Sequence, residues 1–149
     1  MSTPTPADLR NLARFRYSLR RLLRNAEDAA REVGLTPQHH QLLLGIAGFT
    51  GNGFATISEL ADFLQLRHHS LVGLIDRAET MGLVRRTVNP ENRREVHVAL
   101  TADGSRKLRQ LADLHRDELN FMRRRMDILD VQRTARRGPS GPGGRTKRR

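Results

Sequence analysis

The sequence predicts a mainly α-helical fold with a small β-wing, a winged helix-turn-helix. Three observations predict it. Residues 56–64 and 68–81 carry two helical patterns separated by a sharp turn. Two β-prone runs follow, 83–88 and 95–100, with a strand-breaking segment between them. Long amphipathic patterns flank this lobe on both sides. Such a lobe is built to set one helix in a DNA major groove.

Residues 1–6 are rich in Ser, Thr and Pro and are expected to be disordered. A long helix is expected from about Ala7 to Val33. Leu9, Leu12, Phe15, Leu19, Leu22, Leu23 and Ala26 recur at three- and four-residue steps. The other face carries Arg10, Arg14, Arg16, Arg20, Arg21 and Arg24. Periodicity alone leaves open whether this is a core helix with a solvated face or an assembly element. Gly34 ends it. Thr36-Pro37 starts the next helix, cap and proline each in a favoured place. Leu42, Leu43, Leu44, Ile46 and Ala47 make it apolar nearly all round, which predicts full burial. Gly51-Asn52-Gly53 is a turn, and Phe54-Ala55 is expected to form a short strand pairing with the wing.

In the central lobe, Thr56 and Glu59 form a capping box. Ile57, Leu60, Ala61 and Leu64 line one face of the first helix, and Leu66 is the apolar residue of the turn. The second helix buries Leu71, Leu74, Ile75 and Ala78. His68, His69, Ser70, Val72, Gly73 and Arg77 fall on its open side. Gly82 suits a left-handed stop. In the second strand Val96, Val98 and Leu100 share a face. Between the strands lies NPENRR, whose arginines are placed to touch phosphates or a minor groove. Thr101 caps a further helix that runs past Gly104, with Leu108, Leu111, Ala112, Leu114, Leu119 and Met122 apolar.

The runs ISELADFLQL, SLVGLIDRAETMGLVRR and NPENRREVHVALT, and the TADG that opens the next helix, resemble the MarR family of bacterial transcriptional regulators. The resemblance covers about residues 9–120. It implies a sequence-specific DNA-binding regulator: a cytoplasmic homodimer on a pseudo-palindromic operator, acting as a repressor that a small phenolic or anionic ligand releases. It also implies the division of the chain. Residues 7–133 are expected to form one domain, with dimerisation helices at 7–34 and 102–133 around a DNA-binding lobe at 36–101. The stretch 120–131 is short and irregular for the family's last helix. Arg67-His68-His69 stands where a Ser or Thr cap is usual, Gly73 where a polar or basic residue is frequent, and Asn92 where the wing usually has an acid.

The expected DNA contacts follow. His68, His69 and Ser70 stand at the N-terminal end of the recognition helix, where imidazole and hydroxyl can meet base edges or phosphates. Arg77 is expected to meet backbone or an acidic neighbour. Arg93 and Arg94 are the wing candidates, Arg93 the tip residue, with one of the pair able to brace the wing through an ion pair. Arg85 and Arg86 lie at the wing base, within reach of phosphates. Arg16, His39 and His40 are the candidate ligand contacts.

Composition bounds the alternatives. The formal net charge is +11, and the seven Lys/Arg residues from Arg133 onward, taken away, leave +4 for the rest. Residues 134–149 are Gly/Pro/Arg-rich and expected to be disordered. This tail motivates a second reading, an architectural protein that coats DNA without a chosen site. The absence of cysteine excludes thiol redox sensing and disulfides. No run approaches a membrane span, so no membrane partner is expected. The six histidines, His39, His40, His68, His69, His97 and His115, contain no pair at helical ligand spacing, and no metal or other cofactor is expected. His115 and Glu118 have that spacing, a single pair that chance supplies. No nucleophile elbow, phosphate loop or zinc-protease motif is present, so no enzyme is expected.

Overall fold

The structure is a computed structural model that describes residues 3–116 together with Asn120 and Arg124. The chain divides into two units after His115, and the elements below all lie in the first. In order they are α1 (Pro6–Glu32), α2 (Pro37–Gly48), β1 (Phe54–Thr56), α3 (Ile57–Leu64), α4 (His68–Thr80), β2 (Val84–Val88), β3 (Val96–Leu100) and α5 (Ala102–Leu114).

Helix starts follow the capping chemistry. Thr56 accepts the Glu59 N–H at 3.2 Å while the Glu59 carboxylate accepts the Thr56 N–H at 2.8 Å. Thr36 and Thr101 each accept an N–H three residues on, at 3.1 Å. α1 starts the same way: Thr5 and Asp8 form a reciprocal capping box. This order reaches into the segment expected to be disordered, because Thr-Pro-Ala-Asp is itself a helix start. At the start of α4, Arg67 occupies the cap position without a side-chain bond.

Three helices end alike. Gly34, Gln65 and Gly82 take left-handed conformations, with φ of 78°, 53° and 72°. The next residue, always leucine, turns its N–H back onto the last turn: Leu35 to Ala30, Leu66 to Ala61 and Leu83 to Ala78, at 2.9 to 3.1 Å. Leu35 and Leu83 are thereby buried and Leu66 half-buried. This closure satisfies orphan carbonyls and plants an apolar side chain under each helix end. At Gln65 a non-glycine residue takes the strained φ, and its side-chain amide donates to the Asp62 carbonyl at 2.6 Å.

The sheet is antiparallel, in the order β1-β3-β2. Phe54 pairs with Ala99, and Val84 with Leu100. The short strand expected at Phe54-Ala55 is thus in place and covers one edge of the wing. Leu42, Leu43 and Ile46 of α2, Leu60 of α3, Leu71, Leu74 and Ile75 of α4, Val84, Val98 and Leu111 form one buried core. Leu44 and Ala47, expected to be buried, are exposed. An apolar surround does not bury a helix unless neighbours cover every side, and here the core takes only Leu42, Leu43 and Ile46.

α5 spans Ala102–Leu114, with His115 as its C-terminal cap residue, and Leu119 and Met122, expected among its apolar positions, lie outside the described residues. The expected last helix and the basic tail lie outside the described residues. In α1 only Ala30 is buried, although the helix has 27 residues. Leu9, Leu12, Phe15, Leu19 and Leu23 are all exposed, Phe15 by 61%.

Candidate nucleic-acid interface

The apolar stripe of α4 fixes the helix by Leu71, Leu74, Ile75 and Ala78, all buried. The opposite side follows from the 3.6-residue period. His68, His69 and Ser70 are exposed on its first turn, and Val72 and Gly73 are half-buried. Backbone N–H groups of this turn point outward with the positive end of the helix dipole, a setting that favours an anion. The missing side-chain cap at Arg67 leaves these donors without a protein acceptor of that kind.

Arg77 is exposed further along α4. Its guanidinium lies back along the helix, so that a Cβ at Gly73 would stand 3.5 Å from Nη1. Its charge also acts on His39, buried on α2 beneath it. Neither ring nitrogen of His39 has a hydrogen-bond partner among the described residues. Burial first, and the Arg77 charge second, hold the His39 pKa below its usual value.

The wing is shaped by two asparagines. Asn89 accepts the Glu91 N–H through its side chain at 3.0 Å, and Asn92 accepts the Arg94 N–H in the same manner at 3.2 Å. Glu95 N–H closes a turn onto the Asn92 carbonyl at 2.9 Å, with Arg93 and Arg94 as its two central residues. Both arginines are exposed, and neither makes an ion pair among the described residues. The wing turn is therefore braced by asparagine side chains, and both arginine side chains stay exposed. Arg85 is also exposed, on β2.

Arg86 has another setting. It is half-buried and donates to Glu79 Oε2 of α4 at 3.0 Å, and it also reaches Asp76 of the same helix. The sequence places it among the phosphate contacts; in the structure it joins the wing to α4. The acids Asp76 and Glu79 serve as its partners.

A second wing cluster was not foreseen. His97 of β3 stacks on Phe54 of β1, ring centroids 4.0 Å apart, and its Nε2 lies 2.5 Å from Glu95 Oε1. Asn89 Nδ2 donates to the same oxygen at 3.3 Å. These hydrogen bonds, that with His97 foremost, hold the Glu95 carboxyl below its usual pKa. The available signal was the two-residue period of β3, which sets Glu95 and His97 on one face.

The three candidate ligand contacts do not converge. His39 and His40 are each only 5% exposed on α2. His40 stacks on His115 with centroids 5.5 Å apart, and burial, then the His115 charge, lowers its pKa. Arg16 is exposed on α1, about four helical turns before Ala30, where that helix meets the core. Among the described residues no group of three or more His, Asp or Glu side chains is placed to hold a metal ion. No helix among them is long and apolar enough to cross a membrane.

A helix-turn-helix with an arginine-tipped, three-stranded wing defines the class: a winged helix-turn-helix lobe. Residues 33–95 match the model of the MarR family (MarR_2), which bears out the resemblance drawn from the sequence over that lobe. No curated protein matches the chain. Among solved structures, the fold is similar to that of AbsC, a MarR family transcriptional regulator from Streptomyces coelicolor. The TM-score is 0.70 and the identity 21%, with 90% of this chain and 93% of that chain covered. It is similar also to a mutant of MarR from E. coli complexed with operator DNA, at TM-score 0.60 and 23% identity over 79% of this chain and 83% of that one. A mutant of MepR from S. aureus bound to an oligodeoxyribonucleotide gives TM-score 0.61 and 15% identity, covering 84% and 94%.

Proposed function

We propose that this chain is a sequence-specific DNA-binding transcriptional regulator that works as a homodimer in the cytoplasm. The observation that carries the reading is the pairing of two free surfaces on one lobe. The first turn of α4 exposes His68, His69 and Ser70, and the wing turn exposes Arg93 and Arg94. The Arg86 contacts hold wing and helix together, so the two surfaces move as one. Likeness of fold to two chains that carry DNA supports it.

In this reading α4 enters a major groove and the wing reaches the adjacent minor groove. Ser70 meets a phosphate, a histidine meets a base edge, and Arg93 enters the minor groove. The exposed stripe of α1 supports the homodimer, since a row of exposed leucines and a phenylalanine is unfavourable in water. Two copies would set two recognition helices about one helical turn apart on a pseudo-palindrome. Repression follows from occupying a promoter. A small phenolic or anionic ligand that prefers a spacing of the lobes unfit for DNA would release it. His39 and His40 are the contacts retained for that ligand, with Arg16 too far along α1 to join them within one copy.

Hydroxyl-radical footprinting on the DNA upstream of the protein's own gene tests the reading. Two protected segments related by a two-fold axis support it; uniform protection along the whole fragment supports sequence-indifferent coating instead.

A further inference from the structure

α1 carries a second surface that the proposed lobe chemistry does not use. At about 100° per residue, Arg10, Arg14, Tyr17, Arg21 and Arg24 fall within a sector of roughly 80°. All five are exposed. None of the four arginines makes an ion pair among the described residues, whereas Arg31, nearer the core, is taken up by Glu27 and Asp28. The Arg21 guanidinium sits 6.0 Å from the centre of the Tyr17 ring, which stiffens the middle of the row. The row is about 21 Å long, or about six phosphates of one DNA strand at 3.4 Å each. Every basic residue of α1 is arginine, whose planar fork grips a phosphate with two parallel bonds.

We infer that this face of α1 binds the phosphate backbone of a second DNA duplex, apart from the one held by the winged lobe. Two observations select that occupant. The arginine sector is centred roughly 160° around the helix from Leu12, Leu19 and Leu23. A helix lying on a membrane by its apolar stripe would turn these arginines away from the lipid headgroups. A helix burying the stripe against protein leaves them facing outward. The row also begins about 9 Å and ends about 30 Å along α1 from Ala30, the helix's one buried residue, so it stands off from the lobe. The inference rests on the proposed function only for the identity of the first duplex.

The test is a two-duplex capture. The full chain is bound to a bead-held duplex from upstream of its gene, and a labelled second duplex is added at low salt. The wild type is expected to retain the second duplex. R10Q/R14Q/R21Q/R24Q is expected to lower that retention by about tenfold or more, with first-duplex affinity changed less than about threefold. R14Q/R21Q, a milder change, is expected to lower it by a smaller factor, which keeps the test alive if the quadruple variant folds poorly. Unchanged capture in both variants overturns the inference. So does loss of binding to phosphatidylglycerol vesicles with duplex capture intact, which would assign the face to membranes. R93A/R94A separates the two claims: undiminished binding of the first duplex by this variant counts against the lobe reading and leaves the α1 face standing.

Discussion

Arg86 of β2 donates to Glu79 of α4 twice, from Nη1 at 3.0 Å and from its backbone N–H at 3.3 Å. With the Asp76 contact, one side chain fixes the wing against α4. Arg86→Ala is predicted to lower stability by about 1 kcal/mol, modest because the carboxylates are partly solvated. It is also predicted to weaken DNA binding through loss of wing position. Arg86→Lys, which cannot bridge both acids with the same geometry, should fall between. Urea denaturation and DNA titration of the three proteins check this.

Arg93 is the contrasting case. It sits in the turn closed by Asn92 and Glu95 and makes no ion pair among the described residues. Arg93→Ala should leave stability within about 0.5 kcal/mol and cost roughly 1–3 kcal/mol of operator binding. Binding that is unchanged would remove the wing from the mechanism.

His39 makes stability pH-dependent. Its folded-state pKa is held below the ordinary 6.5 by burial and then by Arg77, and that of His40 is lowered by burial and then by His115. The unfolded chain therefore binds more protons than the folded one over the interval below 6.5. Stability is full above that pH and is lost as pH falls toward the folded values. His39→Leu removes two ring nitrogens that have no hydrogen-bond partner among the described residues, so it should raise stability at neutral pH by about 1 kcal/mol and flatten the acid side of the profile. Thermal melts between pH 5 and 8 measure both effects.

Gly104 lets α5 start against the end of β2's approach. A Cβ there would stand 2.0 Å from the Leu83 carbonyl oxygen. That oxygen also accepts the Thr101 N–H at 3.0 Å, so it cannot move aside freely. Gly104→Ala is predicted to cost about 3 kcal/mol, the upper end of overpacking penalties, read by chemical denaturation.

Much of the lobe was legible because its signals are local. Thr56 with Glu59, Gly82 after Met81 and the alternation through Val98 each act within a few residues. What escaped depends on contacts across the fold. Gln65 takes a left-handed turn with no glycine to announce it. Arg86 looks like Arg85 in sequence, and only the packing of β2 beside α4 separates them. The Phe54–His97 stack needs the register that sets Thr56 opposite His97. Leu44 and Ala47 read as core because composition cannot say which sides of a helix find neighbours. Arg16, His39 and His40 were grouped by chemistry, and the length of α1 keeps them apart.

The most direct test of the central claim is a fluorescence-anisotropy titration at physiological salt. It compares DNA from upstream of the protein's own gene with a shuffled duplex of equal length. A lobe that reads bases through α4 and the wing predicts a preference of about a thousandfold or more for the natural sequence. Equal, salt-sensitive affinity for both duplexes would contradict site-specific recognition and favour binding by charge alone.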